Sequence, residues 1–166
     1  MFRLTSLLPL AAALALATPA LHAQASGIAV GAKGPAAVVE TLDGKAADLS
    51  QYVGKTPVLL EFWATWCGNC KQLEPAIQAA AKKYAGKVKF VGVAVSVNQS
   101  PQRVKLYAER HALPMEQFYD RKGFATDAYE VPATSYIVVL DRAGTVVYTG
   151  VGGDQNIDAA VAKALR

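Results

Sequence analysis

Cys67 and Cys70 are the only two cysteines in this 166-residue chain. A short apolar run of strand type, Val58-Leu59-Leu60-Glu61-Phe62-Trp63, leads through Ala64-Thr65-Trp66 into Cys67-Gly68-Asn69-Cys70-Lys71, and a long helical pattern follows. The spacing joins the last residue before a helix to that helix's first turn. A purely structural disulfide is a poor use of the pair, because so short a loop removes little entropy from the unfolded chain. Zinc is also a poor use. A tetrahedral site takes four Cys or His ligands, and beyond its first 25 residues the chain adds only His111. A redox dithiol fits. A thiolate at a helix N-terminus faces the positive end of the macrodipole and unpaired N–H groups, which can bring a cysteine pKa from about 8.5 into the range of about 3.5–7.5. Cys67 is then the exposed nucleophile and Cys70, one turn further in, the shielded resolving thiol.

Glu61 interrupts the apolar run. An unpaired charge inside a covered strand is costly. One reading takes its side chain to a wet edge or to a lysine. The other makes it a buried acid with a raised pKa near the dithiol, able to move protons as Cys70 is deprotonated. The next apolar strand, Phe90–Val95, holds no lysine to neutralise it.

The segment Phe62-Trp63-Ala64-Thr65-Trp66-Cys67-Gly68-Asn69-Cys70-Lys71 resembles the active-site segment of the thioredoxin superfamily, and its wording is most similar to the periplasmic TlpA/ResA branch. The stretch from Thr41-Leu42-Asp43-Gly44-Lys45 through Leu49-Ser50 to Gly54-Lys55 resembles that branch's N-terminal hairpin. The likeness spans residues 34–166. It implies a thioredoxin-like α/β three-layer sandwich, with a mixed central sheet flanked by helices and a strand–helix insertion. It also implies thiol–disulfide exchange with protein substrates, without metal or organic cofactor. Glu61 stands where thioredoxins carry a buried aspartate, one methylene longer.

The same resemblance asks for a substrate-facing cis-proline before the last hairpin. Val131-Pro132 is the direct candidate, since cis bonds are almost confined to X-Pro. Counting back from Asp141 without a gap instead places Ser135 at that position with Thr134 before it, which leaves Pro132 trans. Thr134, Ser135 and Pro132 therefore form the expected substrate edge. Trp66 shields the site, and Trp63 either shields it or packs the core. A different class, a copper-binding module of the same fold, would use both thiolates with His111. A peroxidase acting through one cysteine is disfavoured, because Cys67 has a resolving partner three residues on.

The remaining chain must position this stretch. Residues 1–25 read as a targeting segment: Arg3, an apolar run to Ala17, and Ala23-Gln24-Ala25 as a small-x-small cleavage site. The periplasm is the implied compartment. Residues 26–33 read as a flexible lead. Strands are expected near Ala37–Thr41, Val58–Trp63, Val88–Val95, Pro114–Asp120, Ile137–Leu140 and Thr145–Thr149. Helices are expected after Cys70 (kinked at Pro75), from Pro101 to His111, over Gly123–Tyr129, and after an Asp154 cap with Ile157, Val161 and Leu165 on one face. A net charge of +4, spread without clusters beyond Lys82-Lys83, leaves no nucleic-acid footprint. A monomer, supplied with electrons from the membrane side, completes the reading.

Overall fold

The computed structural model describes residues 27–166, so the leader expected over residues 1–25 lies outside the described residues. The strands are β1 (Val38–Thr41), β2 (Ala46–Asp48), β3 (Val58–Trp63), β4 (Lys89–Val95), β5 (Glu116–Asp120), β6 (Tyr136–Leu140) and β7 (Val146–Val151). The helices are α1 (Gly68–Lys83), α2 (Pro101–Arg110), α3 (Phe124–Ala128) and α4 (Ile157–Lys163), with one 3-10 turn at Leu49–Gln51.

One mixed sheet holds all seven strands in the order β2-β1-β5-β4-β3-β6-β7. β3 pairs in parallel with β4, and β4 with β5; β6 joins the other side of β3 antiparallel. Every residue of β3 is buried, which explains its unbroken apolar wording: a strand covered on both faces has no solvent face to encode.

Side-chain alternation sorts the core into two layers. Val58, Leu60 and Phe62 face Val91, Val93, Phe118, Tyr129 and Tyr136 on one side. Leu59 faces Leu73 and Ile77 of α1 and Ile157 and Val161 of α4 on the other. Trp63, Ala64, both cysteines, Ala94, Val104 and Tyr119 close the C-terminal end of the parallel strands. Each large apolar side chain buried here contributes about 1.5–3 kcal/mol, so the sheet is a firm base for whatever sits on that end.

Two expectations need correction. Residues 27–33 are docked rather than free. Ile28 is buried and its N–H donates to the Tyr129 carbonyl at 3.2 Å, while the Gly31 N–H donates to Val146 at 2.8 Å. Their Gly-rich wording serves close approach, since a Cβ on Gly27 would run into the Tyr136 ring. The last helix is capped by Asn156, whose side chain accepts from the Ala159 N–H at 2.9 Å, and not by Asp154. Its inner face is Ile157, Ala160, Val161 and Ala164, with Leu165 exposed. Pro75 lies inside α1, as its sequence position implies, exposed on the outer side.

Candidate active site

The chain leaves β3 at Trp63 and is pinned before it enters α1. The Thr65 N–H is held by Gln99 Oε1 at 2.9 Å, and Trp66 Nε1 donates to the Val97 carbonyl at 2.8 Å. Both partners lie in the loop after β4, so two adjacent parallel strands fix the approach to Cys67. Cys67 is the N-cap of α1, in extended conformation, and its Sγ accepts the backbone N–H of Cys70 at 3.1 Å. That bond satisfies one of the helix's unpaired N–H groups with sulfur, an interaction that favours the charged form of the atom. The two cysteines are joined as a disulfide.

In this oxidised state the expected exposure of Cys67 is not seen. Cys67 is 5% exposed and Cys70 3%, whereas the neighbouring Trp66 is 43% exposed. The bonded sulfurs cover each other and sit among Trp63, Val104 and Tyr119. The asymmetry between the cysteines therefore lies in hydrogen bonding and helix position, with Cys67 outside the first turn and Cys70 within it.

Glu61 is buried and reaches neither a wet edge nor a lysine. Burial, and then the like charge of Glu74, push its carboxyl up to about 8. Its Oε1 has no hydrogen-bond partner among the described residues. Strand register sets Glu61 beside Gly92, and Gly92 beside Gln117. The missing side chain at Gly92 leaves room that the Gln117 amide fills, and Gln117 Oε1 accepts from Trp63 Nε1 at 3.0 Å. Trp63 thus supports the site as a packed indole with a satisfied N–H.

A second polar group stands on the α1 and α2 side. The Tyr107 hydroxyl donates to Glu74 Oε1 at 2.6 Å, and His111 Nδ1 lies 2.9 Å from Glu74 Oε2. The Tyr107 and His111 rings stack at 3.9 Å. Burial first, and the Glu74 contact next, push the Tyr107 phenol well above its ordinary range. His111 is therefore engaged with Glu74. Among the described residues no three His, Cys, Asp or Glu side chains are grouped to hold a metal, so the copper reading lacks its required third ligand.

In the loop before β6, the Val131–Pro132 bond is trans, for among the described residues no peptide bond is cis. Pro132 is exposed. Ser135 is fully buried at φ 65°, and its backbone is already paired: its N–H donates to Phe62, and its carbonyl accepts from the Gly152 N–H and Gln155 Nε2. Ser135 anchors the loop beside the end of β3 and has no free group to offer a substrate. Thr134 precedes it and is half-buried. It lines an apolar groove of about 250 Å³ with Trp66, Val95, Val97, Val131 and Ala133.

Sequence reasoning passed over Glu74, Tyr107, Gln99 and Gln117. Glu74 lies four residues after Cys70 and Tyr107 four before His111, so helical spacing could have put each on a shared face. Nothing local marks Gln99 or Gln117.

Comparison with known proteins agrees with this geometry. Residues 29–165 match the family model described as Redoxin. The chain belongs to the redoxin family. This redoxin is 35% identical over 127 residues to the thioredoxin-like protein YneN of Bacillus subtilis, covering 76% of this chain and 74% of that one. It is 31% identical over 121 residues to the thiol-disulfide oxidoreductase ResA of Geobacillus thermodenitrificans, covering 73% and 68%. Its fold is similar to a thiol:disulfide interchange protein of the thioredoxin family from Chlorobium tepidum, with a TM-score of 0.69 at 24% identity over 84% of this chain and 99% of that one. The thioredoxin-like fold expected from residues 34–166 is thereby the observed one.

Proposed function

We propose that this redoxin is a thiol–disulfide oxidoreductase that reduces disulfides of exported proteins through Cys67 and Cys70. The observation that carries the reading is the Cys70 N–H donated to Cys67 Sγ at the opening of α1. In the reduced protein, Cys67 thiolate attacks a client disulfide, breaking its S–S bond and releasing one client thiolate. Cys70 then loses its proton and attacks Cys67 Sγ; the mixed disulfide breaks, the second client thiolate leaves, and the protein ends as the Cys67–Cys70 disulfide. Two electrons pass from the protein to the client.

Glu61 takes the proton from Cys70 in the second step. A base whose proton affinity is near that of a thiol is well matched to this transfer. Trp66 and Thr134 line the groove that receives the client backbone, and the exposed Pro132 precedes Thr134 in the same loop. The reducing direction is supported by chemistry around the dithiol. Gly68-Asn69 places no cation beside Cys67, and two carboxylates, Glu61 and Glu74, lie behind it. Both features disfavour a stored thiolate, which is what a strong oxidant needs. The protein acts as a monomer in the periplasm after removal of residues 1–25. Its electrons come from a donor at the membrane.

Insulin reduction with dithiothreitol as the electron source tests the catalysis. Precipitation of the insulin B chain well ahead of a dithiothreitol control supports the reading; a rate equal to the control rejects it. The dithiol potential, measured against glutathione, tests the direction.

A further inference from the structure

Glu74 has no role in the exchange steps above, yet its place is closely fixed. It lies one turn after Cys70 on α1, half-buried, with one carboxylate oxygen taken by the Tyr107 hydroxyl at 2.6 Å and the other by His111 at 2.9 Å. Tyr107 packs against Trp63 with ring centroids 5.5 Å apart. Trp63 and Glu61 are two residues apart on β3 and share the face that α1 covers. Three elements thus fix a second carboxylate on the side of the sheet that Glu61 faces, where its charge bears on Glu61. A salt bridge on the surface would not need a phenol and a stacked imidazole to hold one acid in place.

We propose that Glu74, clamped between Tyr107 and His111, is the positioning residue that makes Glu61 an effective base for Cys70. Its catalytic consequence rests on the dithiol reading above. A fixed negative charge behind Glu61 raises the cost of ionising it and so strengthens its hold on the proton it accepts. The other neighbours cannot supply this. β4 presents Gly92 and β6 presents Ile137 beside Glu61, β5 presents the neutral Gln117 amide, and α4 presents Ile157, Ala160 and Val161 to the same sheet face. On α1 and α2 the groups are Cys70, Glu74, Tyr107 and His111. The cations Lys71, Arg103 and Arg110 rim the outer side of Tyr107 and His111 and are exposed, where water screens them.

The direct test is a carboxyl-carbon NMR titration of Glu61 in the oxidised full-length protein. Glu74→Gln is expected to move the Glu61 midpoint down by about one pH unit, the effect of one charge removed at short range in a partly buried site. Glu74→Asp keeps the charge and is expected to recover most of the wild-type midpoint; Tyr107→Phe is expected to fall between. A Glu61 midpoint that stays in place in Glu74→Gln, or moves equally in Glu74→Asp, overturns the proposal. Should Glu74→Gln not fold, an unshifted midpoint in Tyr107→Phe overturns it. The titration needs no activity, so a protein that fails to reduce insulin would sink the dithiol reading and leave this result standing. In catalysis, the pH–rate profile of Glu74→Gln is expected to shift with the midpoint, and the shift to vanish in a Glu61→Gln background.

Discussion

The backbone N–H of Cys70 donates to the sulfur of Cys67 across 3.1 Å, at the point where β3 gives way to α1. One residue of the pair thereby prepares the other. The donor comes free with the helix, since the first-turn N–H groups have no partner of their own, and it cannot be removed by changing a side chain. What mutation can remove is the sulfur on either end.

Cys70→Ser should therefore keep the first step and lose the second. Incubated with a disulfide-bonded client, the variant should accumulate a stable mixed disulfide at Cys67, visible on a non-reducing gel and reversed by dithiothreitol. Cys67→Ser should trap nothing and reduce nothing. A mixed disulfide at Cys70 in Cys67→Ser would reverse the assigned roles.

Glu61 makes stability depend on pH in an unusual direction. Its carboxyl is held up to about 8 in the folded protein against an ordinary 4.5. Between those values the folded state keeps a proton that the unfolded state has lost, so folding is weakened as pH rises, by at most about 1.4 kcal/mol per pH unit. The contribution is fully present below pH 4.5 and lost through pH 8. Glu61→Gln should flatten this slope and raise Tm at pH 8 and above, while slowing exchange roughly a hundredfold or more. Thermal melts across pH 5–9 check the first; insulin reduction checks the second.

Gly92→Ala should damage both fold and site. The added methyl would run into the Gln117 amide and dislodge it from Trp63. Overpacking of this kind costs about 1–3 kcal/mol, readable in urea unfolding. Quenched or shifted Trp63 fluorescence should accompany it.

Much of this was legible in the sequence, for identifiable reasons. β3 and β4 read as apolar runs because strands covered on both faces have no alternation to hide. Cys67 and Cys70 mark a strand-to-helix junction by position alone, and Glu61 announces itself as the one charge in β3. Ser135 is expected from sequence on the substrate edge, but its burial depends on Gly152 and Gln155 arriving from the loop after β7. The clamp on Glu74 was illegible for a similar cause: Tyr107 and His111 belong to another helix, and no spacing within α1 signals them. Residues 27–33 were misread because Gly and Ala suit both a free lead and a segment packed closely against Tyr136.

The cap of α4 separates two neighbouring residues of similar chemistry. Asn156→Ala should cost about 1 kcal/mol through loss of the bond to Ala159. Asp154→Ala should cost much less. Paired urea melts distinguish them, and equal losses would contradict the assignment.

The account depends most on the reactivity of Cys67, and alkylation of the reduced protein by iodoacetamide, followed residue by residue with mass spectrometry from pH 5 to 9, tests it most directly. The account predicts that Cys67 is labelled first, at a rate that stops climbing at least about one pH unit below the ordinary thiol pKa of about 8.5, with Cys70 protected until the protein unfolds. Equal labelling of both cysteines, at rates climbing about tenfold per pH unit as for an ordinary thiol, would contradict it.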